Sequence, residues 1–150
     1  MVKDSGGTNE RRGSTSEVIK HLLKERKQLL QLLLRASSHT ADSNAVPDRD
    51  LLNEFCQLLV DYIAAAHFGL YERIVEGTER RRGVAELAVK LYPRIEQTTQ
   101  AALAFNERYD AHRQDINSAE LHRELSVLGE ELTRRIDYED RIIRKLEEAR

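Results

Sequence analysis

Residues 51–74 read LLNEFCQLLVDYIAAAHFGLYERI, and between residues 58 and 70 the run is apolar on every side of a helix, with Asp61 as its only carboxylate and His67 as its only basic group. A helix without a polar face is normally the central element of a larger core. A carboxylate in its middle is costly unless it is paired or put to use. The rest of the chain therefore has to supply elements that wrap this one.

It supplies three, all with helical periodicity. Residues from about 15 to 35 carry a seam of Ile19, Leu22, Arg26, Leu29/Leu30 and Leu33, opened by Ser14 and Glu17 at capping-box spacing. From residue 84 the chain repeats Val84, Ala88, Leu91, Ile95, Thr98, Ala102, Phe105 and Tyr109 in alternating steps of four and three. The last third repeats Leu121, Leu125, Leu128, Leu132, Arg135, Glu139, Ile142 and Leu146, with Asn117 and Glu120 spaced as a cap. The apolar run itself starts near Asp48 or Asp50 and ends at Gly77, which suits the residue just past a helix. Pro93 sits opposite the third seam, and a kink or restart is expected there because proline removes a ladder hydrogen bond.

No strand-like alternation competes, so the reading is all-α: an antiparallel four-helix bundle with long, partly kinked helices. A composition with 33% charged and 5% aromatic residues, no Trp and two Pro agrees. Residues 1–13, with three glycines, read as a disordered N-terminal arm. Residues 14–150 read as one helical-bundle domain, since the chain is too short for two comfortable cores.

Polar residues at seam positions are the anomalies. Arg26 interrupts the first seam, Arg135 and Glu139 the last, and Asp61 the apolar run. Two arginines and two carboxylates make a formally neutral set, able to satisfy one another in an internal polar layer if the bundle brings them to one level. Such a layer either fixes helix register or forms a wet cavity that a ligand or partner engages. The apolar run also has a face. At ~100° per residue, Glu54, Asp61, Phe68 and Glu72 fall within about 40° of one another, with Ala65 alongside. This acidic stripe with one large apolar anchor is a candidate partner-binding surface, set against the plainer readings of a solvated face and a core phenylalanine. Residues 48–77 carry two Lys/Arg against six Asp/Glu, so a basic partner fits.

Several function classes drop out. No histidine has a glutamate three residues before it, which excludes the carboxylate–histidine words of di-iron bundles, and His67 reads as a hydrogen-bonded core histidine. Cys56 is the single cysteine, which excludes an intramolecular disulfide and a multi-cysteine zinc site. Neither a phosphate-binding glycine loop nor a nucleophile motif is legible. No metal, cofactor or catalytic residue is expected. A net charge of −2 and only Arg80, Arg81 and Arg82 as a basic cluster argue against direct nucleic-acid binding. No signal-peptide pattern and no apolar run of ~20 residues is present, so a cytoplasmic protein without membrane contact is expected.

The words FCQ (residues 55–57), LVDY (59–62), AAHF (65–68) and YERI (71–74) resemble the Rsd/AlgQ (regulator of sigma D) family of anti-sigma factors. Further matches are Leu23, Arg26 and Leu29; Tyr92, Pro93, Glu96 and Gln100; and Leu125, Ser126, Gly129, Glu130, Leu132, Arg135, Glu139 and Asp140. The resemblance runs from about residue 16 to 146. Departures are Ala65 and Ala66, where relatives carry Ala-Gly after a Ser, and Leu22, where they carry Trp. It implies an anti-sigma factor that binds the C-terminal, promoter-reading domain of the primary sigma factor and blocks its use by core RNA polymerase. A monomer is expected in the bound state, with no enzymatic activity. The alternative is a small helical-bundle enzyme or ligand-binding protein that uses the internal polar layer.

Overall fold

A computed structural model of the chain describes residues 2–42, 46–75, 82–109 and 115–148, with side chains from Ser16 on, Arg73, Val75 and Arg82 excepted. Among these residues the fold is an all-α bundle without a strand. Helix α1 spans Val2–Thr40; α2 (Arg49–Ala66) passes through one π turn (His67–Tyr71) into the short α3 (Glu72–Val75); α4 spans Arg82–Arg108 and α5 Ser118–Glu148. Helix α1 packs along α2 and α5, and α4 packs along α5 and α2. None of the described helices is long and apolar enough to cross a membrane.

The strict seams become the core. All eight positions of the third seam, from Val84 to Tyr109, are buried, and so are all eight of the last, Arg135 and Glu139 included. Burying each large aliphatic side chain contributes about 1.5–3 kcal/mol. Phe55 meets Phe105 edge-to-face at 5.8 Å, tying α2 to α4. The seam of α1 drifts by one position beyond Leu29, continuing through Leu32, Ala36 and Thr40 while Leu33 is half-buried. One cap, Asn117, lies where the sequence puts it, and of the two aspartates offered for the start of α2 it is Asp48 that caps. The Asp48 carboxylate accepts from the Leu51 N–H at 3.0 Å, and the Asn117 side chain accepts from the Glu120 N–H at 2.9 Å.

Other expectations need correction. Helix α1 starts ahead of the Ser14–Glu17 capping box and continues a turn beyond Arg35, because extending an existing helix costs far less than starting one. The backbone of residues 2–13, read as a disordered arm, is helical and continuous with α1, and no side chain before Ser16 is described. Of the kink or restart expected at Pro93, the restart does not occur, since α4 runs through the proline as one helix. Val89, whose carbonyl loses its donor to the proline, and Pro93 itself are both exposed, so the orphaned acceptor is on the outer face, where water can serve it. Nor is α2 wrapped on all sides. In a ring of four rods each keeps one outward face, and Asp61, His67 and Phe68 are exposed on that of α2 and the π turn. Gly77, Arg80, Arg81 and His112 lie outside the described residues.

Candidate partner face and the polar layer beneath it

The polar layer is built from neighbouring seams. The Arg135 Nε donates to Glu139 Oε2 at 2.9 Å, one turn apart on α5, and its Nη1 reaches the hydroxyls of Thr99 and Thr98 on α4 at 2.7 and 3.2 Å. From α1, Arg26 donates through Nη2 to Glu139 Oε1 at 3.2 Å, through Nη1 to Asp140 at 2.7 Å, and through Nε to the Tyr62 hydroxyl at 3.0 Å. The Tyr62 hydroxyl in turn donates to Glu139. All four main helices thus contribute to one network centred on a carboxylate with no exposure at all. Each guanidinium faces acceptors on two sides, which is the condition for keeping buried charge.

Burial works against the charge of Arg26, but Tyr62, Asp140 and Glu139 outweigh it and hold the guanidinium above its ordinary value. Burial first and the Glu139 carboxylate second push the Tyr62 hydroxyl well above the usual phenol range, so it stays a donor. The Tyr71 hydroxyl, close to the same charges, is pushed up for the same reasons and lies buried without a hydrogen-bond partner.

Arg26, Arg135 and Glu139 meet in the layer, but Asp61 does not. It is exposed, and its carboxylate accepts from the Gln57 side-chain amide at 3.0 Å on the outer surface of α2. The reason is helical phase: Asp61 precedes Tyr62 by one residue, about 100° of rotation, and Tyr62 is the residue that points inward. Tyr62 was missed because a tyrosine on a seam reads as core. The clue was a surplus of donors, since two arginines facing one carboxylate need further acceptors.

The outward stripe is exposed as a surface but is not straight. Glu54, Asp61 and Phe68 are exposed, while Ala65 and Glu72 are partly covered. In the π turn the Glu72 N–H bonds the His67 carbonyl, one residue further back than in an α-helix. That extra residue sets everything after it back by roughly 100°. It brings Leu70, Tyr71 and Ile74 all into the core, and it turns Glu72 toward α4. Glu54 therefore borders a groove shared with Gln28, Leu34 and Arg35 of α1. Phe68 and Glu72 border a recess of about 510 Å³ shared with Val89, Tyr92 and Pro93 of α4. Gly69 lets the π turn lie close to α1, where an added Cβ would stand 3.0 Å from Val18 Cγ1.

His67 is exposed as well, contrary to the core role expected of it, and its ring stands edge-on to Phe68 at 4.9 Å. Phe68 is 63% and Val89 64% exposed. Both open apolar side chains line the recess that Glu72 borders. No group of three or more His, Cys, Asp or Glu that could hold a metal occurs among the described residues. Cys56 is buried.

Comparison with known proteins adds to this geometry. No solved structure matches the chain. The protein named "Regulator of sigma D" from Yersinia enterocolitica is 31% identical over 148 residues, covering 95% of this chain and 88% of that one. The protein of the same name from Enterobacter sp. strain 638 is 34% identical over 147 residues, with 95% and 88% covered. The one from Yersinia pestis is 30% identical, with 95% and 87% covered. The sequence model of the family described as "Regulator of RNA polymerase sigma(70) subunit, Rsd/AlgQ" matches residues 1–147. With a match of that length, the chain belongs to the Rsd/AlgQ family.

Proposed function

We propose that this chain is an anti-sigma factor acting in the cytoplasm. In this reading it binds the C-terminal, promoter-reading domain of the primary sigma factor and keeps it from core RNA polymerase, without contacting DNA itself. Membership of a family described as regulating the sigma(70) subunit carries this reading. The outward stripe of Glu54, Asp61 and Phe68, with the partly covered Ala65 and Glu72 beside it, supports it, because the acidic groups suit a basic DNA-reading surface and Phe68 offers an apolar anchor. A helix-turn-helix domain covered there loses its approach to the phosphate backbone. The polar layer offers the alternative ligand-site reading little: Arg26, Arg135, Glu139 and Tyr62 bond to one another and to flanking residues of the same layer.

Titration of the purified chain with the full-length primary sigma factor, and with its isolated C-terminal domain, tests this. Tight one-to-one binding to both is expected, with sigma withdrawn from core polymerase in competition. Failure of the wild-type chain to bind either form overturns it.

A further inference from the structure

The recess beside Phe68 has a chemistry more specific than apolarity. Four ring systems contribute to it: His67, Phe68 and Tyr71 from the π turn and Tyr92 from α4. The His67 and Phe68 rings stand nearly perpendicular, 86° apart, and form an aromatic corner. Among the described residues Glu72 is the only carboxylate in the lining, and neither Lys nor Arg lines it; Lys90 and Arg94 of α4, its neighbours in sequence, are not part of it. Ring faces carry a negative quadrupole that attracts a cation, more strongly as the cation is desolvated, and a carboxylate at the edge completes the charge balance.

We propose that this recess is a cation cage that takes an arginine or lysine side chain of the protein partner, arginine being favoured because its flat guanidinium stacks on a ring while bonding Glu72. The proposal rests on the partner reading above and refines it. Asp61 then supplies a second charge contact on the outer face of α2, while the cage selects a cationic side chain by enclosing it. The recess opens next to the stripe, since Phe68 belongs to both.

Two measurements on the full chain test this. In the first, sigma binding is compared for wild type, Phe68→Leu and Phe68→Trp. Leucine keeps apolar bulk but has no ring face, so Phe68→Leu should weaken binding by about 3- to 30-fold, the range for a partly to fully desolvated cation–ring contact. Tryptophan, the best ring for a cation, should bind at least as tightly as phenylalanine. Because Phe68 is mostly exposed, melting temperatures should not move, which separates recognition from misfolding. In the second, ring signals of Phe68 and Tyr92 are followed by NMR during addition of N-acetyl-arginine amide or its neutral isostere N-acetyl-citrulline amide. Shifts with the arginine compound alone are expected. A Phe68→Leu variant that binds sigma like wild type overturns the cage and leaves the partner reading intact. Equal shifts with both compounds, or none with either, also overturn it. A chain that shows arginine-specific shifts but no sigma binding would retain the cage and reject sigma as its partner.

Discussion

Asp61 and Tyr62 are adjacent in sequence and opposite in circumstance. Tyr62 points inward, where its hydroxyl joins Arg26 to Glu139, and Asp61 points outward, where it accepts from Gln57 one turn back. The contrast extends along the helix. The inward side leads to a network in which acceptors from α2, α4 and α5 receive the donors of two arginines, and the outward side leads to carboxylates and an aromatic ring open to solvent. Polar groups inside are held by partners from this chain, so removing one strands the others. Polar groups outside have spare capacity, so removing one is felt only when something else binds. A carboxylate therefore carries stability at Glu139, and at Asp61 the proposed function gives it recognition.

The largest effect is expected from Glu139→Ala. It leaves Arg26 and Arg135 charged and buried without their shared carboxylate, and urea denaturation should show a loss of about 3–5 kcal/mol. A loss below ~1 kcal/mol would mean that the layer is wetter than its burial indicates, and the contrast with the outer face would fail. Asp61→Ala should behave in the opposite way. Stability should stay within ~0.5 kcal/mol of wild type, as at ordinary surface sites. Sigma binding should weaken by about 2–5 kcal/mol, the range for truncating one half of a hydrogen-bonded charge pair that the interface buries. Parallel melting and titration curves check both halves, and a mutant altered in neither leaves Asp61 a solvated carboxylate.

Tyr62→Phe removes one hydroxyl from the layer and keeps the ring. A hydrogen bond to charged groups contributes about 1.5–3 kcal/mol, and the mutant should lose roughly that in the same denaturation series. A smaller effect is expected with pH. The Tyr62 and Tyr71 hydroxyls are raised in the folded chain by burial and by Glu139, whereas an unfolded tyrosine ionises near ~10. Their contribution is complete below that value. Above it the unfolded state releases protons that the folded state retains, so stability falls as pH rises. Tyr62→Phe should make this alkaline slope shallower, and an unchanged slope would separate Tyr62 from the charge of Glu139.

What could be read from the sequence follows the same division. The seams of α4 and α5 were legible in full because every step obeyed the helical period, and Arg135 and Glu139 stood out as charges on apolar stripes. Arg26 was legible for the same reason. The error at Asp61 came from weighting charge over phase: a carboxylate in an apolar run attracts notice, and the tyrosine beside it passes for core. The hydroxyls of Thr98 and Thr99, which receive Arg135, carry no charge to betray them. The recess was only half visible, since Phe68 was identified on its own helix but its meeting with Val89, Tyr92 and Pro93 depends on tertiary packing. The π turn was invisible, because no local propensity demands it. It arises where the core accepts Leu70, Tyr71 and Ile74 together.

That π turn also sets how the chain responds to a change of length. An α-helix that loses a residue swings all that follows by about 100°, and a core built on its phase is lost. Residues 67–71 already hold one residue in excess of the regular period, so a single deletion there turns the segment into plain α-helix and leaves Ile74 in its place on the core. The loss would fall on the outer surface: the corner between His67 and Phe68 would close up, while the four rods beneath it kept their alignment.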